Sequence, residues 1–319
     1  MTIGLAVTGE NAGLAAFRAL EAVEKVARGA IRGFVSFVVI TADGRLVRAQ
    51  TQRGGTTTLF VEGETTGTPP PAEIATARFA AFMSSGPDRP EPLDQFTAGD
   101  AAFGLVTGHR LPNVPGEGSD QPLNLTALDH LRAGASPKDA IEATLEAYPT
   151  ADAGLIALDR EGRLSAADSL FVQTRGDLGR AFLEDRARNH RVAVLHNAIH
   201  PKDGLAALAA GIAMDCMAPF DRTDLWLTLA AGTPISSGPT AALHADGTGR
   251  ITLITVTSKT WLAGRRDGAL VNIATPVMDD GRLIGHTTTD PYCVAEAARL
   301  VSISGQAEVQ IGVRRHTAG

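Results

Sequence analysis

Residues 34–52 read FVSFVVITADGRLVRAQTQ, and this stretch decides the fold. Phe34 to Ile40 is a nearly continuous apolar run, the pattern of a strand covered on both faces. Ala42-Asp43-Gly44 supplies the turn, and Arg45 to Gln52 is a second, more polar strand. A helical pattern comes before it: Leu14, Phe17, Leu20, Val23 and Val26 recur close to a 3.6-residue period. The same hairpin returns around Arg160-Glu161-Gly162 (154–167) and Ala245-Asp246-Gly247 (about 240–258). A doubly wound parallel sheet alternates single strands with helices. Paired strands with helices laid on them predict an α/β (α+β) fold instead, a layered αββα sandwich with mainly antiparallel sheets.

Outward from the hairpins, strands are expected at 3–8, 103–107, 191–196 and 225–229, near 270–277 and finally at 303–313. Asn11 is placed to cap the first helix, Ser136 with Pro137 and Asp139 to start another, and Asp203 to cap a helix bearing Leu205, Leu208, Ile212 and Cys216. Further helices are expected at 74–83, 123–131 and 178–189 and near 292–301. Gly108 to Asp120 reads as a long loop. The whole is expected as one large domain over 1–319, with 171–319 either completing the sandwich or forming a second lobe.

Composition narrows the function classes. The chain has 319 residues, 44% hydrophobic and 20% charged, which suits a large buried core. A net charge of −6 argues against a nucleic-acid partner, because a phosphate-binding surface needs excess Lys and Arg. Cys216 and Cys293 stand alone, with neither disulfide nor zinc spacing. Residues 1–40 lack the order of a signal peptide, and no apolar run approaches the roughly 20 residues needed to cross a bilayer. A cytoplasmic protein with no membrane partner is expected. The Ala-rich helices suit packing between subunits, so a homo-oligomer is expected too.

Residues 123–169, LNLTALDHLRAGASPKDAIEATLEAYPTADAGLIALDREGRLSAADS, resemble proteins of the N-terminal nucleophile (Ntn) hydrolase superfamily, most closely an uncharacterised bacterial branch of it. The hairpin at 34–52 and the segment FGLVTGHRLPN at 103–113 fit the same pattern, so the resemblance covers about residues 1–170. It implies a four-layer αββα sandwich and hydrolysis of a small amide. The nucleophile would be a Thr, Ser or Cys exposed at a chain start by cleavage. In the strand of the first hairpin only Ser36 is nucleophilic, and its nitrogen lies in a peptide bond, so no free α-amine stands beside it.

Three clusters carry candidate chemistry. Ser36 is the candidate nucleophile, and a serine bonded to backbone is the alternative. Arg53, Gly54, Gly55 and Thr56 form a second cluster. Two glycines let backbone N–H groups converge into an anion-binding nest, and Arg53 suits a carboxylate or phosphate; a strand-ending bulge with a surface arginine is the alternative. His109, Arg110 and Asn113 form the third, with His109 as a candidate acid or base and the other two as ligand contacts. His196 and His200 have a helical metal spacing, but Pro201 follows and no acidic pair completes a set, so no metal is assigned. No P-loop or dinucleotide fingerprint occurs, so no cofactor is assigned either. The expected ligand is a small amide or a small anion. A fold that binds such an anion without catalysis, and an oligomeric accessory protein, are the alternatives.

Overall fold

The computed structural model describes residues 1–28, 31–114, 121–218 and 223–315. It is a mixed α/β structure with mostly antiparallel sheets, divided into two compact units, Met1–Ala218 and Pro219–Gly319. The division falls after 218 rather than 170, because residues 178–197 supply two strands of the first unit's larger sheet.

The first unit opens with β1 (Thr2–Thr8), α1 (Ala12–Val26), β2 (Val35–Ile40) and β3 (Leu46–Thr51). Short elements follow: α2 (Thr56–Leu59), β4 (Val61–Glu62), β5 (Thr65–Thr66) and α3 (Ala72–Ala75). Next come β6 (Phe79–Ser85), β7 (Ala98–Asp100), β8 (Gly104–His109), α4 (Leu123–Arg132) and α5 (Pro137–Ala147). The unit ends with β9 (Gly154–Asp159), β10 (Leu164–Asp168), α6 (Leu170–Gln173), β11 (Leu178–Asp185), β12 (His190–Asn197) and α7 (Leu205–Met217).

A six-stranded antiparallel sheet has the order β11-β12-β1-β6-β2-β3, and a four-stranded one the order β10-β9-β8-β7. Alternation along each strand sends side chains to two different cores. Ile3, Leu5 and Val7 of β1, with Val35, Phe37 and Val39 of β2, face α1 and α7. Ala6, Val38, Ile40, Ala81 and Leu195 of the six-stranded sheet meet Leu105, Ile156 and Leu158 of the four-stranded sheet. Val106, Leu155 and Ala157 face the other way, onto Leu123, Leu128 and Leu131 of α4 and Ile141 of α5. Burial on both faces explains the apolar run in β2 although its neighbours are antiparallel.

The hairpins at 34–52 and 154–167 form as their patterns predict, with Gly44 and Gly162 at positive φ in the turns. Ser136 caps α5 through the Asp139 N–H, whereas Asn11 makes no side-chain cap and Gly204 occupies the start of α7. Residues 79–85 and 178–185 are strands, not helices. Phe79 to Ser85 lies centrally between β1 and β2, where cross-strand bonding and burial on both faces override the helix preference of its alanines.

The second unit contains β13 (Leu225–Ala230), β14 (Ile235–Ser237), β15 (Ala242–Ala245), β16 (Ile251–Val256) and β17 (Arg265–Ala269). It continues with β18 (Pro276–Asp279), β19 (Arg282–Thr287), β20 (Tyr292–Glu296), β21 (Arg299–Ile303) and β22 (Glu308–Arg315). A seven-stranded sheet runs β13-β22-β19-β18-β15-β16-β14, and a three-stranded one β17-β20-β21. The expected helix at 292–301 is the β20–β21 hairpin, turned by Ala297 and Ala298 at positive φ. Leu229, Leu243, Val277, Ala295 and Ile311 share its core. Among the described residues no helix is long and apolar enough to cross a membrane.

Candidate functional site

The start of β1 gathers the polar groups of the first unit. Thr2 lies between Asn197 of β12 and Ser85 of β6 in the strand register, and it is almost fully buried. Asn197 Oδ1 accepts from both the Thr2 N–H (3.2 Å) and the Thr2 hydroxyl (2.6 Å). The backbone N–H of Arg110 donates to Thr2 Oγ1 at 2.9 Å. One hydroxyl is therefore held by an acceptor from its own sheet and a donor from the loop that leaves the other.

Glycines make that meeting possible. A Cβ on Gly4 would stand 2.1 Å from the Gly108 carbonyl oxygen, so β1 and β8 cross in backbone contact. Just beyond, Arg110 and Asn113 take positive φ, and the peptide bond before Pro112 is cis. The expected loop at 108–120 is described as far as Val114; 115–120 lie outside the described residues.

A cavity of about 270 Å³ opens here, lined by Met1, Thr2, Arg89, Arg110, Asn113 and Asp152 among others. Arg110 pairs with Asp152, and Asn113 Nδ2 donates to the Asp152 carbonyl at 3.0 Å. Arg175 pairs with Asp177 at 2.6 Å. Arg89 differs: its Nε donates to Ser85 Oγ at 2.7 Å, and no carboxylate pairs with it among the described residues. The Met1 α-amine at this mouth is held below its ordinary value, first by burial, then by the charges of Arg89 and Arg110.

Behind the loop, His109 Nε2 bonds Asp168 Oδ1 at 2.7 Å, with both side chains buried. Gly154 leaves room for the pair, since a Cβ there would lie 2.5 Å from the imidazole. His196 packs over Gly179 and has no hydrogen-bond partner on either ring nitrogen. Burial first, and the nearby His109 second, push its pKa down from 6.5 to about 4. Asn197 Nδ2 and His109 Nδ1 are also buried without partners. His200 is exposed, so the two histidines of the metal-like spacing occupy different environments.

The remaining predicted residues are elsewhere. Ser36 is fully buried in β2, its hydroxyl 2.7 Å from Thr97 Oγ1, which also receives Arg48 Nη1 at 3.1 Å. Arg53 is exposed and paired with Asp88 at 2.6 Å. Gly54 and Gly55 take positive φ, but the Gly55 N–H donates to the Gly33 carbonyl at 3.0 Å and the carboxylate of Glu24 lies against Gly55. Glu24 accepts from the Thr56 N–H at 3.0 and 3.1 Å and from its hydroxyl. Burial raises the Glu24 pKa, and the bonds from Thr56 oppose that rise. Thus Arg110 and Asn113 line the cavity, whereas His109, Ser36 and 53–56 lie outside its lining. Sequence reasoning missed Thr2, Arg89, Asp152 and Asn197. Its available signal was a hydroxyl residue heading the apolar run IGLAV.

Residues 2–226 match a family model described as "Domain of unknown function (DUF6963)", and residues 232–308 match a second, "Domain of unknown function (DUF7259)". The second match lies wholly within the second compact unit. Among solved structures, the chain is similar to the crystal structure of protein SPO2555 from Silicibacter pomeroyi, of the DUF1028 family. The identity is 14%, covering 58% of this chain and 69% of that one, with a TM-score of 0.28. A search of curated proteins finds no match. The first match spans most of the chain and nearly all of the unit that holds Thr2 and its cavity, so the chain belongs to the DUF6963 family.

Proposed function

We propose that the first unit is an Ntn-type αββα sandwich and that the protein is an amide hydrolase whose nucleophile is Thr2, unmasked by cleavage of the Met1–Thr2 peptide bond. The observation that carries this reading is the double hold of Asn197 Oδ1 on the nitrogen and the hydroxyl of one residue at the head of a central strand. Ser36 is fully buried and already bonded, and it lacks a base.

Freed by cleavage, the Thr2 α-amine takes the proton from its own Oγ1, the role a separate general base fills in a triad. The oxygen attacks the amide carbonyl carbon, the C–N bond breaks, and the departing amine leaves with that proton. An ester on Thr2 remains. Water, deprotonated by the same amine, cleaves it to the acid and restores Thr2. Burial first, and then the positive charges of Arg89 and Arg110, disfavour a protonated Met1 α-amine at this mouth, and a Thr2 amine freed beside the same arginines would meet the same bias towards the neutral form a base requires. Asn197 Nδ2 has no acceptor, which leaves a donor beside Thr2 for a developing oxyanion.

The test is hydrolysis of a p-nitroanilide panel by protein whose N-terminus has been read by intact mass. With Thr2 at the N-terminus, Thr2→Ala is expected to lower the rate about a thousandfold or more, and Ser36→Ala to leave it unchanged. Equal activity in Thr2→Ala and the parent sinks the reading.

A further inference from the structure

We infer that Arg89 is the anchor for a carboxylate on the substrate, so that the cavity takes small amides carrying an acid group a few carbons from the scissile carbonyl. This rests on the Thr2 reading for the word amide; the anion site itself does not need it.

The residues at this mouth divide cleanly by charge balance. Arg110 is matched by Asp152, and Arg175 by Asp177. Arg89 lines the same cavity with no acid of its own among the described residues. It is also held in place. Gln52 accepts from its backbone N–H at 3.0 Å and donates to its carbonyl at 2.6 Å, and its Nε is fixed on the buried Ser85 hydroxyl. That leaves the two terminal nitrogens, the edge of a guanidinium that grips a carboxylate in a two-pronged fashion.

Reach follows from the register. Ser85 is the direct partner of Thr2, and paired Cα atoms in an antiparallel sheet lie about 4.5–5.5 Å apart. Arg89 is therefore anchored to the neighbour of the proposed nucleophile, and a short acid chain spans from one to the other. The exposed Arg53, the cation expected for this role, is matched by Asp88 and does not line the cavity.

Calorimetry with glutarate, against its neutral analogue glutaramide, tests the site without any turnover. Glutarate is expected to bind at least about tenfold tighter than glutaramide, with the preference lost in Arg89→Gln and only partly kept in Arg89→Lys, which keeps the charge but not the two-pronged grip. Equal binding of the two probes by the parent protein, or a preference unchanged in a folded Arg89→Gln, overturns the inference. The two claims fail separately. Arg89-dependent glutarate binding alongside undiminished hydrolysis by Thr2→Ala sinks only the nucleophile. Thr2-dependent hydrolysis with no glutarate preference sinks only the carboxylate anchor.

Discussion

Thr2 and Ser36 stand two strands apart in one sheet, and each hydroxyl bonds a residue bordering the other sheet. Their surroundings differ in what is left unpaired. Around Ser36 the partners are matched: its hydroxyl and that of Thr97 share a hydrogen bond, and Arg48 Nη1 donates to Thr97 Oγ1 and to its carbonyl. Around Thr2 the buried Asn197 Nδ2 lacks a partner, as do His109 Nδ1 and both nitrogens of His196. A fold that leaves buried polar groups unbonded pays in stability, at about 1–3 kcal/mol each. These unbonded groups set the surroundings of Thr2 apart from those of Ser36.

The contrast can be broken first through His196. Its folded pKa of about 4 lies below the ordinary 6.5. The folded state therefore resists a proton that the unfolded chain accepts. The associated stability is fully present above pH 6.5 and is lost as the pH falls towards 4. Linkage sets the loss at about 3 kcal/mol. Urea unfolding at pH 7.5, 5.5 and 4 measures it, and His196→Gln should flatten that part of the profile. An unchanged profile in that variant would show that this end of the sheet carries no such penalty.

A smaller effect sharpens the same comparison. In Gly4→Ala the new Cβ meets the Gly108 carbonyl oxygen and must push β8 away from β1. The expected cost is about 1–3 kcal/mol, read by urea unfolding. The Arg110 N–H should also withdraw from Thr2, so amide exchange at Arg110 should quicken. Ser36 and Thr97 should be untouched, which the exchange rates of β2 will show.

Much of the antiparallel strand pairing was legible because alternation and turn chemistry act locally. Phe34 to Gln52 carries a strand, a turn glycine and a second strand within one short window. The strand at 79–85 was hidden because Phe-Ala-Ala-Phe-Met suits a helix until neighbours on both sides bond it. Part of the cavity lining was legible for a similar reason: Arg110 and Asn113 are polar residues in the loop directly after the buried strand β8. The positive φ of Gly54 and Gly55 was also legible, but the carboxylate beside them, Glu24, comes from a helix distant in sequence. Thr2 carried no pattern of its own. What singles it out is the approach of Asn197 and Arg110, from positions 195 and 108 residues along the chain.

On the proposed mechanism Thr2, with its own amine free, is the reactive hydroxyl of the first unit. Incubation with a β-lactone that acylates activated hydroxyls, followed by intact mass and peptide mapping, tests it most directly. The account predicts a chain beginning at Thr2 with one added acyl group, mapped to Thr2 and absent in Thr2→Ala. Acylation at Ser36, or a chain that retains Met1 yet still hydrolyses the p-nitroanilide panel, would contradict it.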